Sequence, residues 1–277
     1  MSYKYPLANS SWDDQEYRAI KNIVDSGRFT MGEKVALFEK NFASYFESPY
    51  AVMTNSGSSA NLLMVAALRY IEDPKLRLKP GDTIIVPAVS WSTTYYPLYQ
   101  YNLKLKFVDI DQDTLNYDLK ALGESITEKT RAIMIVNLLG NPNNFHEIQR
   151  LTHNRNIILL EDNCESMGAT YNGAYTGTFG VMGSFSSFFS HHISTVEGGI
   201  FTTDCDELNA IARSIRAHGW TRDLPENKPL VLPKKDGFNE YSFNHLLNYV
   251  FHKKRFGKKK IMKFFKKSDE IFVKKNI

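Results

Sequence analysis

The sequence predicts an α/β protein, with a mostly parallel sheet carrying helices on both faces. Two observations lead there. Between residues 51 and 160 short strand-like runs alternate with helix-length amphipathic segments, the order that builds parallel sheets through crossover helices. The strand-like runs are also apolar without a break, as in residues 84–86 (IIV), 133–136 (IMIV) and 157–160 (IILL). Such runs suit strands covered on both sides rather than strands with one wet face.

Taken in order, residues 12–26 read as a helix that Ser10 or Ser11 can cap. Asp13 and Asp14 suit its positive end, and Gly27 follows its other end. A second helix runs from Glu33 to Tyr45, with Val35, Phe38, Phe42 and Tyr45 at helical spacing. A strand at 51–54 leads into a helix at 58–71, and a strand at 82–87 into a helix at 91–101. A strand at 104–109, the helix LKALGESI and the buried strand RAIMIVNLLG come next. The helix FHEIQRLTHNR and the strand IILLED close this rhythm. Beyond Asp162 the expectation changes to short strands, GSFSSFF and GGIFTT, and then a long amphipathic helix at 206–219.

The 277 residues suffice for one large or two modest domains, and 43% hydrophobic with 23% charged content suits a globular core. No apolar run reaches the roughly 18 residues that cross a membrane, and the first residues, MSYKYPLANSSWDD, lack a signal-like apolar core. Two cysteines, Cys164 and Cys205, make neither a disulfide framework nor a metal-ligand spacing, and a cytoplasmic protein is expected. Charge is uneven. Residues 253–277 hold eleven Lys/Arg and two Asp/Glu, so residues 1–252 carry a net charge of −5 under an overall +4.

Ligands of open α/β sheets sit beyond the carboxyl ends of the strands, and four groups lie at such ends. Asn55-Ser56-Gly57-Ser58-Ser59-Ala60 joins a strand to a helix. It is either a capped turn or a phosphate site on free helix N–H groups. Trp91 follows the strand 82–87, as a core aromatic or as a flat stacking face. Glu161-Asp162-Asn163-Cys164-Glu165 ends a strand. A carboxylate there can pair with a protonated ring nitrogen. Neither a histidine nor a further carboxylate stands at metal-ligand spacing, so no metal is expected. The fourth group is Ser186, Ser187, Ser190, His191 and His192, either a hydrogen-bonded turn or a phosphate cup beside a proton-moving imidazole.

The order of these groups carries more than any one of them. The wording from YPLANSSWDD through NSGSSANL, VPAVSWSTTYYP, NLLGNPNNF, LLEDNCESMGA and SFFSHHISTVEGG to RAHGWTR resembles the DegT/DnrJ/EryC1 sugar-aminotransferase family, fold type I enzymes of pyridoxal phosphate (PLP). The resemblance implies that Gly57, Ser58 and Ser186 hold the cofactor phosphate and that Trp91 stacks on its ring. It implies that Asp162 pairs with the ring nitrogen and that Glu165 lies near the ring hydroxyl and aminomethyl group. His191 becomes the catalytic acid/base, and His192 a structural residue. In the aminotransferases a lysine stands six residues before the Glu of E-G-G; here that residue is His191, six before Glu197. The wording is most similar to the branch that dehydrates nucleotide-linked 4-keto-6-deoxy sugars at C3, which carries histidine there. That branch implies PLP and its amine form, pyridoxamine phosphate (PMP), glutamate as amino donor, a GDP- or CDP-sugar substrate, a homodimer, and a place in deoxysugar and O-antigen synthesis. An ordinary aminotransferase needs a lysine at position 191, and none lies between Lys129 and Lys228.

The resemblance covers residues 1–245, expected as the large domain. The stretch 246–277, rich in Lys, Phe, Asn and Ile, departs from it where the family continues into a small C-terminal domain. That departure gives the expectation of a shifted or shortened reading frame, and of a remnant or binding module as the non-catalytic alternative. The rival for the tail is a basic amphipathic helix on an anionic membrane; no nucleic-acid motif is present.

Overall fold

The computed structural model describes residues 12–219. The elements are α1 (Asp14–Ser26), α2 (Glu33–Tyr45), β1 (Tyr50–Thr54), α3 (Gly57–Tyr70), β2 (Thr83–Pro87), α4 (Ser92–Gln100), β3 (Lys104–Val108) and α5 (Leu119–Ser125). They continue with β4 (Thr130–Val136), α6 (Phe145–Thr152), β5 (Ile158–Asp162), β6 (Thr170–Tyr171), β7 (Ala174–Tyr175), β8 (Met182–Ser186), β9 (Gly199–Thr203) and α7 (Asp206–Arg216). Residues 12–212 belong to one compact unit. The sequence boundary at 245/246, the basic tail and Trp220 to Arg222 of RAHGWTR lie outside the described residues.

The main sheet has seven strands in the order β1-β9-β8-β5-β4-β2-β3. Four neighbouring pairs are parallel and β9 runs antiparallel to both its neighbours, so six strands share one direction. The expected mostly parallel sheet is therefore present. Both faces are covered. Ile85, Ile133 and Ile135 pack with Leu122 of α5 and with Phe145 and Ile148 of α6. Ala51, Phe185 and Ile200 pack on the same face against Phe42, Ala43 and Phe46 at the end of α2. The alternate residues Ile84, Val86, Ala132 and Met134 are fully buried too. Side chains alternate across a strand, so these face the other side, where α3 and α4 lie.

Several boundaries differ from the sequence reading. α1 is capped by Asp13, whose Oδ1 accepts from Gln15 N at 2.7 Å while Glu16 Oε2 accepts from Asp13 N at 2.8 Å, a reciprocal cap that needs neither Ser10 nor Ser11. The run RAIMIVNLLG stops being a strand at Val136. Asn137 turns its amide to Asn163 Oδ1 at 2.8 Å, and Leu139 takes φ +52° with 71% of its surface exposed. GSFSSFF likewise ends as a strand at Ser186, leaving Phe189 49% exposed. The sequence reading omits the small hairpin β6–β7, whose turn is Asn172-Gly173 with φ +50° and +84°. Asn-Gly is the strongest short signal for such a turn.

Candidate active site

The carboxyl ends of β1, β2, β4, β5 and β8 meet along one edge of the sheet. Gly199, the first residue of reversed β9, pairs there with Thr54 on one side and Ser186 on the other. A methyl group added at Gly199 would overlap the Ser56 carbonyl and stand 2.6 Å from Gly57 N. This close approach is why E-G-G ends in glycine. It presses the strand start against the first turn of α3.

That turn is capped by Ser56, whose Oγ accepts from Ser59 N at 3.0 Å. Gly57 and Ser58 keep the unpaired N–H groups of a helix start. Gly57 is buried, and Ser58 is exposed. A Cβ at Gly57 would lie 2.6 Å from both Cys164 Sγ and Ser186 Cβ. The structure thus brings Gly57 against Ser186, with Ser58 next to it at the start of α3, as one small cradle.

Asp162 ends β5 and is 6% exposed. Its Oδ2 accepts from Asn61 Nδ2 at 2.8 Å and Thr94 Oγ1 at 2.8 Å, and its Oδ1 from Cys164 N at 3.2 Å. Burial pushes the Cys164 thiol well above its ordinary range, with the nearby Asp162 carboxylate acting in the same direction. Trp91 precedes α4, three residues before Thr94, and 73% of its surface is exposed. It is therefore not a core aromatic. Glu165 is half-buried and accepts from Leu139 N at 3.2 Å.

His191 sits in the loop between β8 and β9. Ser187 N donates to Gly198 O and Thr195 N to Ser187 O, each at 2.9 Å, while the Ser187 and Thr195 hydroxyls meet at 2.7 Å. These bonds close the loop at its base. Trp12 Nε1 donates to Ser194 O at 3.2 Å from outside. Partial burial lowers the His191 pKa below 6.5; the Glu165 carboxylate pulls it back up, and neighbouring His192 adds to the lowering. His192, expected as structural, is instead exposed and makes no hydrogen bond among the described residues.

Glu161 points to the opposite face from Asp162, so the two acids do not converge. It is fully buried and accepts from Gly177 N at 2.6 Å and from Phe179 N and Gly180 N at 2.7 Å. Burial raises its pKa to about 7 against the pull of those donors. Because this exceeds the ordinary 4.5, the folded chain holds an extra proton between the two values. The associated stability is complete below 4.5 and lost as pH rises through about 7. Over that window the change is about 3 kcal/mol. Urea unfolding at pH 5 and pH 8 should show this loss in the wild type and not in Glu161→Gln.

Sequence reasoning missed Asn61, Thr94, Ser184 and Thr195. Asn61 carries a faint signal, since it stands one helical turn after Gly57 and shares its face.

A seven-stranded, mostly parallel sheet with helices on both faces and polar groups gathered at its strand ends is the architecture of a fold type I α/β large domain. Residues 10–267 match the DegT/DnrJ/EryC1/StrS aminotransferase family, and the chain belongs to it. It is 60% identical over 243 residues to GDP-4-keto-6-deoxy-D-mannose 3-dehydratase of Escherichia coli O55:H7, covering 88% of this chain and 62% of that protein. Identity to the Yersinia pseudotuberculosis protein of that name is 58%, over 88% and 61% of the two chains. The solved E. coli GDP-4-keto-6-deoxy-D-mannose-3-dehydratase with bound hydrated PLP superposes with a TM-score of 0.80 at 60% identity, over 87% of this chain and 61% of that one. Other structures of that enzyme hold a trapped PLP–glutamate geminal diamine or, in a histidine-to-asparagine variant, GDP-perosamine. Another, of ColD, replaces a histidine by lysine and the serine before it by asparagine. The chain spans about three fifths of the length of the curated relatives it matches. Among the described residues no helix is long and apolar enough to cross a membrane.

Proposed function

We propose that this chain carries the cofactor site of a PLP/PMP-dependent dehydratase that removes the C3 hydroxyl of a nucleotide-linked 4-keto-6-deoxy sugar. The observation that carries the reading is His191, with its lowered pKa, where amino transfer needs a lysine. Ser190-His191 is also the one Ser-His pair in the sequence, and a serine followed by a histidine is what is altered in the solved ColD variant.

The residues fit the cofactor. The Gly57 cradle leaves no room for a side chain, and the free N–H groups at the start of α3 suit a phosphate. Asp162 is a buried, hydrogen-bonded carboxylate, the kind of acceptor that suits a protonated ring nitrogen. Gly57, Ser58 and Ser186 would hold the phosphate, Trp91 the ring face, Asp162 the ring nitrogen, and Glu165 the edge bearing the hydroxyl and aminomethyl groups. When bound, PMP supplies an amine for the 4-keto group and an electron-withdrawing ring. His191 would be the group that moves a proton between the aminomethyl carbon and the C3 hydroxyl, which would leave as water, with the amine released as ammonia; one imidazole poised near neutrality is suited to that work. Imidazole makes no stable imine, so the protein holds the group by non-covalent contacts alone.

In this reading glutamate is the amino donor, the substrate is a GDP-sugar as named for the relatives, and the working form is a homodimer. The free thiols Cys164 and Cys205 suit the cytoplasm. Purified protein mixed with PLP and glutamate should pass to the PMP absorbance spectrum. With GDP-4-keto-6-deoxymannose added, mass spectrometry should show a sugar lacking the C3 oxygen. A 4-amino sugar product would instead place the chain with the aminotransferases.

A further inference from the structure

One side chain links three parts of the site. Asn61 is fully buried, one turn into α3 from Gly57. Its Nδ2 donates to Asp162 Oδ2 at 2.8 Å, and its Oδ1 accepts from Ser184 Oγ at 2.6 Å. Ser184 pairs in register with Asp162 and lies two residues before Ser186 on β8. The amide has one workable orientation, because turning it over would set its oxygen against the Asp162 carboxylate. A second donor, Thr94 Oγ1, reaches the same Oδ2 at 2.8 Å and stands 2.8 Å from Ser90 Oγ. A carboxylate offers about four acceptor positions, two on each oxygen. Oδ2 therefore has both filled. Oδ1 accepts from Cys164 N at 3.2 Å, and the Cys164 thiol lies against the same carboxylate.

We infer that Asn61 is a positioning residue that fills Asp162 Oδ2, turns Oδ1 toward the cofactor ring nitrogen, and ties that orientation to the phosphate cradle through α3. The inference rests on the cofactor site proposed above. Thr94 shares the first task only, since it has no bond to Ser184. The two residues can therefore be separated. Asn61→Asp keeps the shape but puts an acceptor against Oδ2 and adds a charge. Thr94→Val keeps the shape and removes one donor to Oδ2.

The test is a PLP titration of the purified full chain, followed by a pH titration of the bound cofactor's absorbance, with melting temperature and circular dichroism recorded alongside. A hydrogen bond to a charged group is worth enough to change affinity about tenfold to a hundredfold. Asn61→Asp should weaken PLP binding by that factor, and Thr94→Val by about tenfold. Both should move the absorbance titration by about one pH unit. A purely structural asparagine would lower the melting temperature and leave that titration in place. If wild type binds PLP while Thr94→Val and a folded Asn61→Asp titrate as wild type does, the inference is wrong and the cofactor site stands. Should Asn61→Asp not fold, an unchanged affinity and titration in Thr94→Val alone overturns it. If wild type binds no PLP, the cofactor site and the inference fall together.

Discussion

His191→Lys should create a covalent link that the wild type lacks. Borohydride treatment in the presence of PLP should then fix cofactor mass on the peptide containing residue 191, and on no peptide of the wild type. The physical ground is the amine itself, since a lysine bonds the cofactor aldehyde and imidazole does not. Dehydration should fall about 10²- to 10⁴-fold, the range a positioned acid/base contributes. The wild-type pH profile should carry its acid limb below 6.5, because partial burial of His191 disfavours the charged ring. Glu165→Gln removes the carboxylate that holds this pKa up, so the limb should move lower still. A wild-type chain that itself yielded a borohydride-fixed lysine would refute the assignment of His191.

Gly199→Ala should be the most damaging single methyl addition in the site. The added carbon would overlap the Ser56 carbonyl and crowd Gly57 N, both backbone groups at the start of α3. Backbone held between β1 and β8 has little room to yield, so a cost near the upper end of the 1–3 kcal/mol for overpacking is expected, about 3 kcal/mol. PLP affinity should fall with it if, as proposed, the N–H groups of the displaced turn hold the cofactor phosphate. Gly57→Ala meets Cys164 Sγ and the Ser186 side chain, so it should cost less stability. Urea unfolding of the two variants gives the order, and equal midpoints for Gly199→Ala and wild type would show that the contact at Gly199 is not tight.

The sheet was legible because burial on both faces leaves unbroken apolar runs, as at 84–86 and 133–136. The turn at 55–60 was legible because a capped helix start is a local object, made by Ser56, Gly57 and Ser59. The β6–β7 hairpin was equally local, and its Asn172-Gly173 turn was there to be read. Trp91 was not decidable in sequence, since an aromatic after a strand suits core and surface alike; its 73% exposure settles the matter. The ends of RAIMIVNLLG and GSFSSFF were misjudged because apolar residues continue past the last ladder bond.

By itself, then, the sequence determined the layering of the fold, the helix-start cradle and the absence of a lysine at position 191, which together point to the chemistry. Only the tertiary structure decided which groups hold Asp162, how Glu161 is turned away from it, and why Gly199 must lack a side chain. Asn61 and Thr94 are 101 and 68 residues from Asp162, and Ser184 is 123 residues from Asn61. The physical reason is that donors to a buried carboxylate are chosen by strand order and helix packing, which set contacts between residues that share no local pattern.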